Sequence, residues 1–397
     1  MARSFSQVCR ARPGVVHFAL AMGGFAIGTT EFATMSLLPF FAKGLRIDEP
    51  TAGHVISAYA LGVVVGAPVI AVLSARLAKR TLLLLLMGFF ALGNGLSALA
   101  PTYEWMLLFR FLSGLPHGAY FGIAMLVAAS LVPPERRTKA TARVMLGLAV
   151  ATILGVPLAN WLGQTFGWRW GFAIVAALAI ATATMVWLVV PRDRPIPGAS
   201  PLRELGALRK EQVWLTLGIG AIGFGGMFAV YTYLASTLID VTHVVPQLEP
   251  VVLAIFGIGM TLGNLVVPRF ADRAMMPTVG ALLLWSAASM VFYSFAAGNI
   301  WMISLAVLSV GFGGSLTAVL QTRLMDVAGD AQSLAAALNH SAFNAANALG
   351  PWFGGIAIAA GYGWSSTGWV GCGLALGGFA IWMISLHRMP TRELALA

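Results

Sequence analysis

Charge is scarce in this sequence. Only 10% of its 397 residues are Asp, Glu, Lys or Arg, while 59% are apolar, too little charge to solvate a water-soluble chain of this length. A soluble globular protein is therefore excluded. Cysteine is almost absent: Cys9 precedes the first apolar run and Cys372 lies in the last, so no disulfide framework is expected. Also missing are a Gly-x-x-x-x-Gly-Lys-[Ser/Thr] phosphate loop, a His-Glu-x-x-His motif and any cluster of metal ligands. These absences argue against ATP hydrolysis and against an intramembrane enzyme built on His117 and His340; no cofactor or metal is expected. The net charge of +10 forms no basic face, because its residues sit in short gaps between apolar runs, so nucleic acid is not an expected partner.

What is present is length and apolarity. Mean hydropathy is +0.85, and apolar runs occur at about 15–42, 51–75, 81–100, 104–132, 141–165, 168–190, 213–238, 249–271, 277–297, 299–325, 331–360 and 364–386. A span needs roughly 20 residues as a helix and about 10 as a barrel strand, so these runs predict an all-α membrane protein with twelve transmembrane helices. Nearly all Lys and Arg fall in the N-terminal arm and in every second gap, with Lys43, Arg46 and Arg169 on the other side. That asymmetry places both termini in the cytoplasm. The arm MARSFSQVCRARPG lacks a small-residue cleavage site after a short apolar core and is read as retained.

The gap 191–212 carries Pro191, Pro195, Pro197, Pro201 and a basic stretch from Arg203 to Lys210, the composition of a linker along a membrane surface. It divides the chain into a six-helix bundle at 1–190 and another at 213–397. At an offset of 197, Gly62 and Gly66 fall on Gly259 and Gly263, Arg76 on Arg273, and Gly114 on Gly311. Gly167-Trp168 and Gly363-Trp364 match one residue out of step. Shared order over six helices points to duplication, and parallel six-helix repeats around a cavity form a transporter architecture.

Several segments carry a family resemblance. Gly28 to Phe32 (GTTEF) with the following LLPFFA, Arg110 to Gly118 (RFLSGLPHG), LGVPLANWLG and Asn339 to Gly350 (NHSAFNAANALG) resemble the major facilitator superfamily over almost the whole chain. Within it they are similar to the drug:proton antiporter branch of sugar-efflux, arabinose-export and chloramphenicol-export types. The resemblance implies the major facilitator fold in a bacterial inner membrane. It implies secondary active export of a drug, sugar or nucleoside-like molecule in exchange for protons, by a monomer that needs only substrate, protons and lipid as partners. A sugar or nucleoside facilitator, or a proton symporter, would share the fold and much of the cavity. In the loop after the second run the family places an acid before Arg, whereas this chain has Ala75; the second-half copy keeps Asp272 and Arg273. Arg76, Lys79, Arg80, Asp272 and Arg273 are the candidate gating residues.

Glu31 is the one acid near the middle of a run, where an ionised carboxylate must be neutralised, paired or hydrated. It suits a proton carrier; a structural acid bonded to Thr29, Thr30 or Thr34 is the plainer alternative. Arg110, the one basic residue inside a run, needs an anion, carbonyls or water, and helix rise places it within reach of Glu31. His117 could join a proton path or simply pack. Asn339, His340, Asn344 and Asn347 lie on one helix, the last three spaced to share a face, and would suit hydrogen-bonding substrates or glue helices together. Tyr59, Tyr120 and Tyr231 complete the candidate substrate site. The repeated Gly-x-x-x-Gly pairs are expected to be packing devices.

Overall fold

A computed structural model describes residues 13–73, 77–133, 137–193, 208–328 and 332–389. Residues 1–12 of the N-terminal arm, Ala75, Arg76 and residues 194–207 of the expected linker lie outside the described residues. The chain forms helices α1 (Pro13–Ser36), α2 (Glu49–Leu73), α3 (Lys79–Leu99), α4 (Tyr103–Ser130), α5 (Ala140–Phe166) and α6 (Arg169–Val189). These are followed by α7 (Glu211–Asp240), α8 (Glu249–Ala271), α9 (Met275–Ala296), α10 (Ile300–Ala328), α11 (Gln332–Ala357) and α12 (Ser366–His387). All but α11 are long and apolar enough to cross a membrane. With 26 residues α11 is about 39 Å long, so it has the reach; Asn339, His340, Asn344 and Asn347 lower its apolarity. The face from which α1 starts is termed proximal and the opposite face distal.

The repeat is written into the backbone. A Cβ on Gly62 or Gly66 of α2 would collide with the carbonyl oxygens of Phe111 and Leu115 in α4, and one on Gly259 or Gly263 of α8 with those of Leu308 and Phe312 in α10. Both acceptor positions are also 197 residues apart, so the same close helix crossing is built twice. Helix α4 is interrupted at Leu115-Pro116, where proline contributes no N–H, and α10 turns to a 3-10 geometry at Gly313–Ser315 at the matching depth. Gly167 and Gly363 precede α6 and α12 with φ of 103° and 76°, a conformation that a side chain disfavours.

Large apolar side chains such as Phe18, Leu85, Trp187, Trp214, Phe295 and Trp301 point outward, the arrangement expected of a surface solvated by lipid. Between α1–α6 and α7–α12 the principal contacts run along α2 with α11 and along α5 with α8. Gly257 lets α8 approach the π-turn Ala151–Gly155 of α5, since a Cβ there would meet Thr152 at 2.8 Å.

Candidate functional site

Glu31 lies on α1 in the interface between the halves, 8% exposed. Its Oε1 accepts a hydrogen bond from Asn347 Nδ2 of α11 at 3.2 Å, so the mid-depth carboxylate is held by the opposite half. Asn344, one turn earlier, donates through Nδ2 to the His340 carbonyl at 3.0 Å. Both amide groups face acceptors, which fixes their orientation and leaves Asn344 Oδ1 and Asn347 Oδ1 buried without partners among the described residues. Asn339 is also buried, beside His340 in sequence.

Arg110 lies near Glu31, but its hydrogen bonds go to other groups. Its Nη1 donates to Thr30 Oγ1 at 3.0 Å and to Asn94 Oδ1 at 3.4 Å, while the Thr30 hydroxyl donates to the same Asn94 oxygen at 2.7 Å. Asn94 is itself held by donation to the Phe90 carbonyl at 2.9 Å. The guanidinium carbon lies over Tyr59, 4.3 Å from the ring centroid, and 5.4 Å from that of Phe172, so aromatic faces supply part of the compensation that a carboxylate would. The charge is thus one residue along α1 from Glu31 but bonded to neutral groups. Nor is Arg110 the one basic residue buried in a span: Arg323 in α10 is 7% exposed.

Tyr59 links this group to the histidines. Its hydroxyl shares a hydrogen bond of 2.9 Å with His117 Nδ1. The His117 ring lies 6.1 Å from that of His340, which stacks on Phe121 at 5.3 Å with an interplanar angle of 4°. Glu31, Tyr59, Arg110, His117, His340, Asn344 and Asn347 therefore form one polar layer drawn from α1, α2, α4 and α11. On its distal side Phe32, Phe228, Tyr231 and Phe256 pack together across the interface; the Tyr231 ring centroid sits 4.1 Å from that of Phe256 and its hydroxyl is buried without a partner among the described residues.

The remaining candidates lie elsewhere. Tyr120 donates its hydroxyl to the Leu20 carbonyl at 2.8 Å and covers Gly23, inside the α1–α6 half rather than in the polar layer. Lys79 and Arg80 donate their backbone N–H groups to the Asp193 carboxylate at 2.7 and 3.2 Å, and the Arg80 guanidinium donates to the Trp187 carbonyl. Asp272 and Arg273 are exposed at the α8–α9 turn. Sequence reasoning missed Asn94 and Thr30 as the partners of Arg110. Nor did it single out Glu49 and Glu249, the first residues of α2 and α8, whose carboxylates bond across the interface. The recurrence of Glu-Pro at the start of α2 and of α8 was the available signal.

Apolar helices of lipid length make a membrane protein; polar groups sequestered between two repeated halves make it a transporter. The sequence pattern of the Major Facilitator Superfamily matches residues 20–313 and 251–396, and the chain belongs to that family of transporters, which are not enzymes. The inner membrane transport protein YdhP of Escherichia coli (strain K12) is 41% identical over 366 residues, covering 90% of this chain and 93% of that protein. A chloramphenicol resistance protein of Streptomyces lividans is 31% identical over 343 residues, covering 84% and 86%. Among solved structures, a bacterial homologue of the human lysosomal transporter Spinster, in an inward-facing and unoccupied conformation, superposes with a TM-score of 0.65 at 20% identity, covering 94% and 95%.

Proposed function

We propose that this transporter exports a small organic molecule, drug-like, sugar-like or nucleoside-like, in exchange for protons, as a monomer in a bacterial inner membrane with both termini cytoplasmic. The observation that carries the reading is the Glu31–Asn347 contact: a carboxylate at mid-depth bonded across the surface along which alternating access must part the halves. Ionised, Glu31 attracts donors and cations; protonated, it loses one acceptor and its charge, so protonation and substrate occupancy bias the same interface. A proton driven by 100 mV supplies about 2.3 kcal/mol, enough for a roughly fifty-fold gradient at full coupling. The export-type relatives favour the outward direction, and the linker at 191–212 would tether the two bundles.

Substrate would occupy the polar layer next to Tyr59, His117, Tyr231, Asn339, His340 and Asn344, where unpartnered acceptors await donors. Arg76, Lys79, Arg80, Asp272 and Arg273 would act at the proximal loops. The test is Glu31→Gln in proteoliposomes, with a substrate selected by thermal shift from sugars, nucleosides and antibiotics. Uphill transport driven by a pH gradient should be lost while counterflow persists. Uphill transport at the wild-type rate would refute the assignment.

A further inference from the structure

The geometry points to a pair of carboxylate latches, Glu49 and Glu249, at the starts of the second helix of each half, that hold the distal face closed and must both release for it to open. The inference goes beyond proton coupling at Glu31 and requires only that the halves of this transporter move. Glu249, the first residue of α8, is 2% exposed and reaches out of its own half into α5. Its Oε1 accepts from Asn160 Nδ2 at 2.9 Å and its Oε2 from Gln164 Nε2 at 2.8 Å. Gln164 also donates to Asn160 Oδ1 at 2.8 Å, and Asn160 donates to the Ser36 carbonyl of α1 at 3.1 Å. Three helices of two halves are closed into one network.

Glu49, the first residue of α2, makes the reciprocal contact: its Oε2 accepts from the buried Ser236 hydroxyl of α7. Each acid is followed by proline, Pro50 and Pro250, in the first helical turn, where no N–H is needed. An acid at a helix start ordinarily serves its own helix dipole. Here both side chains instead take hydrogen bonds from the opposite half, and all their donors are uncharged. Neighbouring close approaches fit the same closure: Gly53 and Gly355 make room for Tyr233, which donates to the Pro351 carbonyl at 2.8 Å. Carboxylates are well suited to a reversible seal. Bonded they satisfy neutral amides and a hydroxyl that would otherwise be buried unpaired; parted, they regain water, so the open state has its own compensation. An apolar plug such as Phe32–Phe256 has no such alternative on exposure.

The test uses detergent-solubilised full-length protein carrying Cys9→Ser and Cys372→Ser and one reporter cysteine, Ser36→Cys beside the Glu249 network or Ser57→Cys below Glu49. The rate of modification by a charged maleimide is measured. Glu49→Ala or Glu249→Ala should each accelerate labelling about fivefold or more at both reporters, because halves that swing as bodies expose both sites together. Asn160→Leu, which removes the partner and keeps both acids, should have the same effect and serves if an acid variant fails to fold. Unchanged labelling in the Glu49→Ala/Glu249→Ala double variant, or a response confined to the nearer reporter, overturns the proposal.

Discussion

Two polar regions cross the same interface and are finished differently. In the distal seal Asn160 donates to Glu249 and to the Ser36 carbonyl, Gln164 donates to Glu249 and to Asn160 Oδ1, and both Glu249 oxygens are occupied. In the mid-depth layer and on its distal border, Arg110 Nε, Asn344 Oδ1, Asn347 Oδ1 and the Tyr231 hydroxyl are buried without partners among the described residues. Unmet hydrogen-bonding groups cost about 1–3 kcal/mol each, a cost that is hard to retain unless water or a solute meets it at some stage of the cycle. The seal is built to satisfy itself, the layer to be satisfied by something else.

The largest effect should come from Arg110→Lys. An ammonium cannot cover the Tyr59 ring as a guanidinium does while reaching Thr30 and Asn94, and hydrogen bonds to a charged group contribute about 1.5–3 kcal/mol each. Flux in proteoliposomes should fall at least about tenfold, with insertion normal by surface labelling. Wild-type flux would reduce Arg110 to a packing role.

A direct contrast follows. Asn160→Ala removes donors to Glu249 and Ser36 at once and should destabilise by about 2–4 kcal/mol, read by thermal melting. Asn344→Ala should shift stability by under about 1 kcal/mol, since one of its groups is unpaired already, yet weaken substrate affinity several-fold. His340→Ala should resemble Asn344→Ala. If Asn344→Ala destabilised as Asn160→Ala does with affinity unchanged, the layer would be helix glue. Tyr59→Phe keeps the ring beneath Arg110 and deletes only the bond to His117, so about 1 kcal/mol of stability should go.

The smallest effect is expected outside both regions. Asp48 caps α2 by accepting from the Thr51 N–H at 2.7 Å, and hydrogen bonds from Thr51, side chain then backbone, hold its carboxyl below the usual range. Its contribution is therefore present above the ordinary carboxylate value and is lost as pH falls through the lowered one. Asp48→Ala should cost about 0.5–2 kcal/mol at neutral pH and less in acid, with transport unaltered.

Much of this architecture is legible in the amino-acid sequence alone. Apolar runs mark the spans because lipid allows few alternatives to helices, and the offset of 197 locates helix crossings that the backbone repeats at Gly62 and Gly259. Glu31 stands out as an acid with no water nearby. Partners are not legible. Asn94 is separated from Thr30 by 64 positions and Asn347 from Glu31 by 316, and helix periodicity says nothing about such pairs. Glu249 does not stand out in the sequence for a physical reason: an acid before proline at a helix start is what a local cap also looks like, so the long-range bond leaves no signature.

The central claim is that Glu31 trades a proton against solute in the unsatisfied layer. It is tested most directly by proton release from purified protein in weak buffer, followed with a pH-sensitive dye as the solute selected by thermal shift is added. Wild-type protein should release protons in step with binding, and Glu31→Gln should bind with no release. Equal release from both proteins, or none from wild type at saturation, would contradict the account.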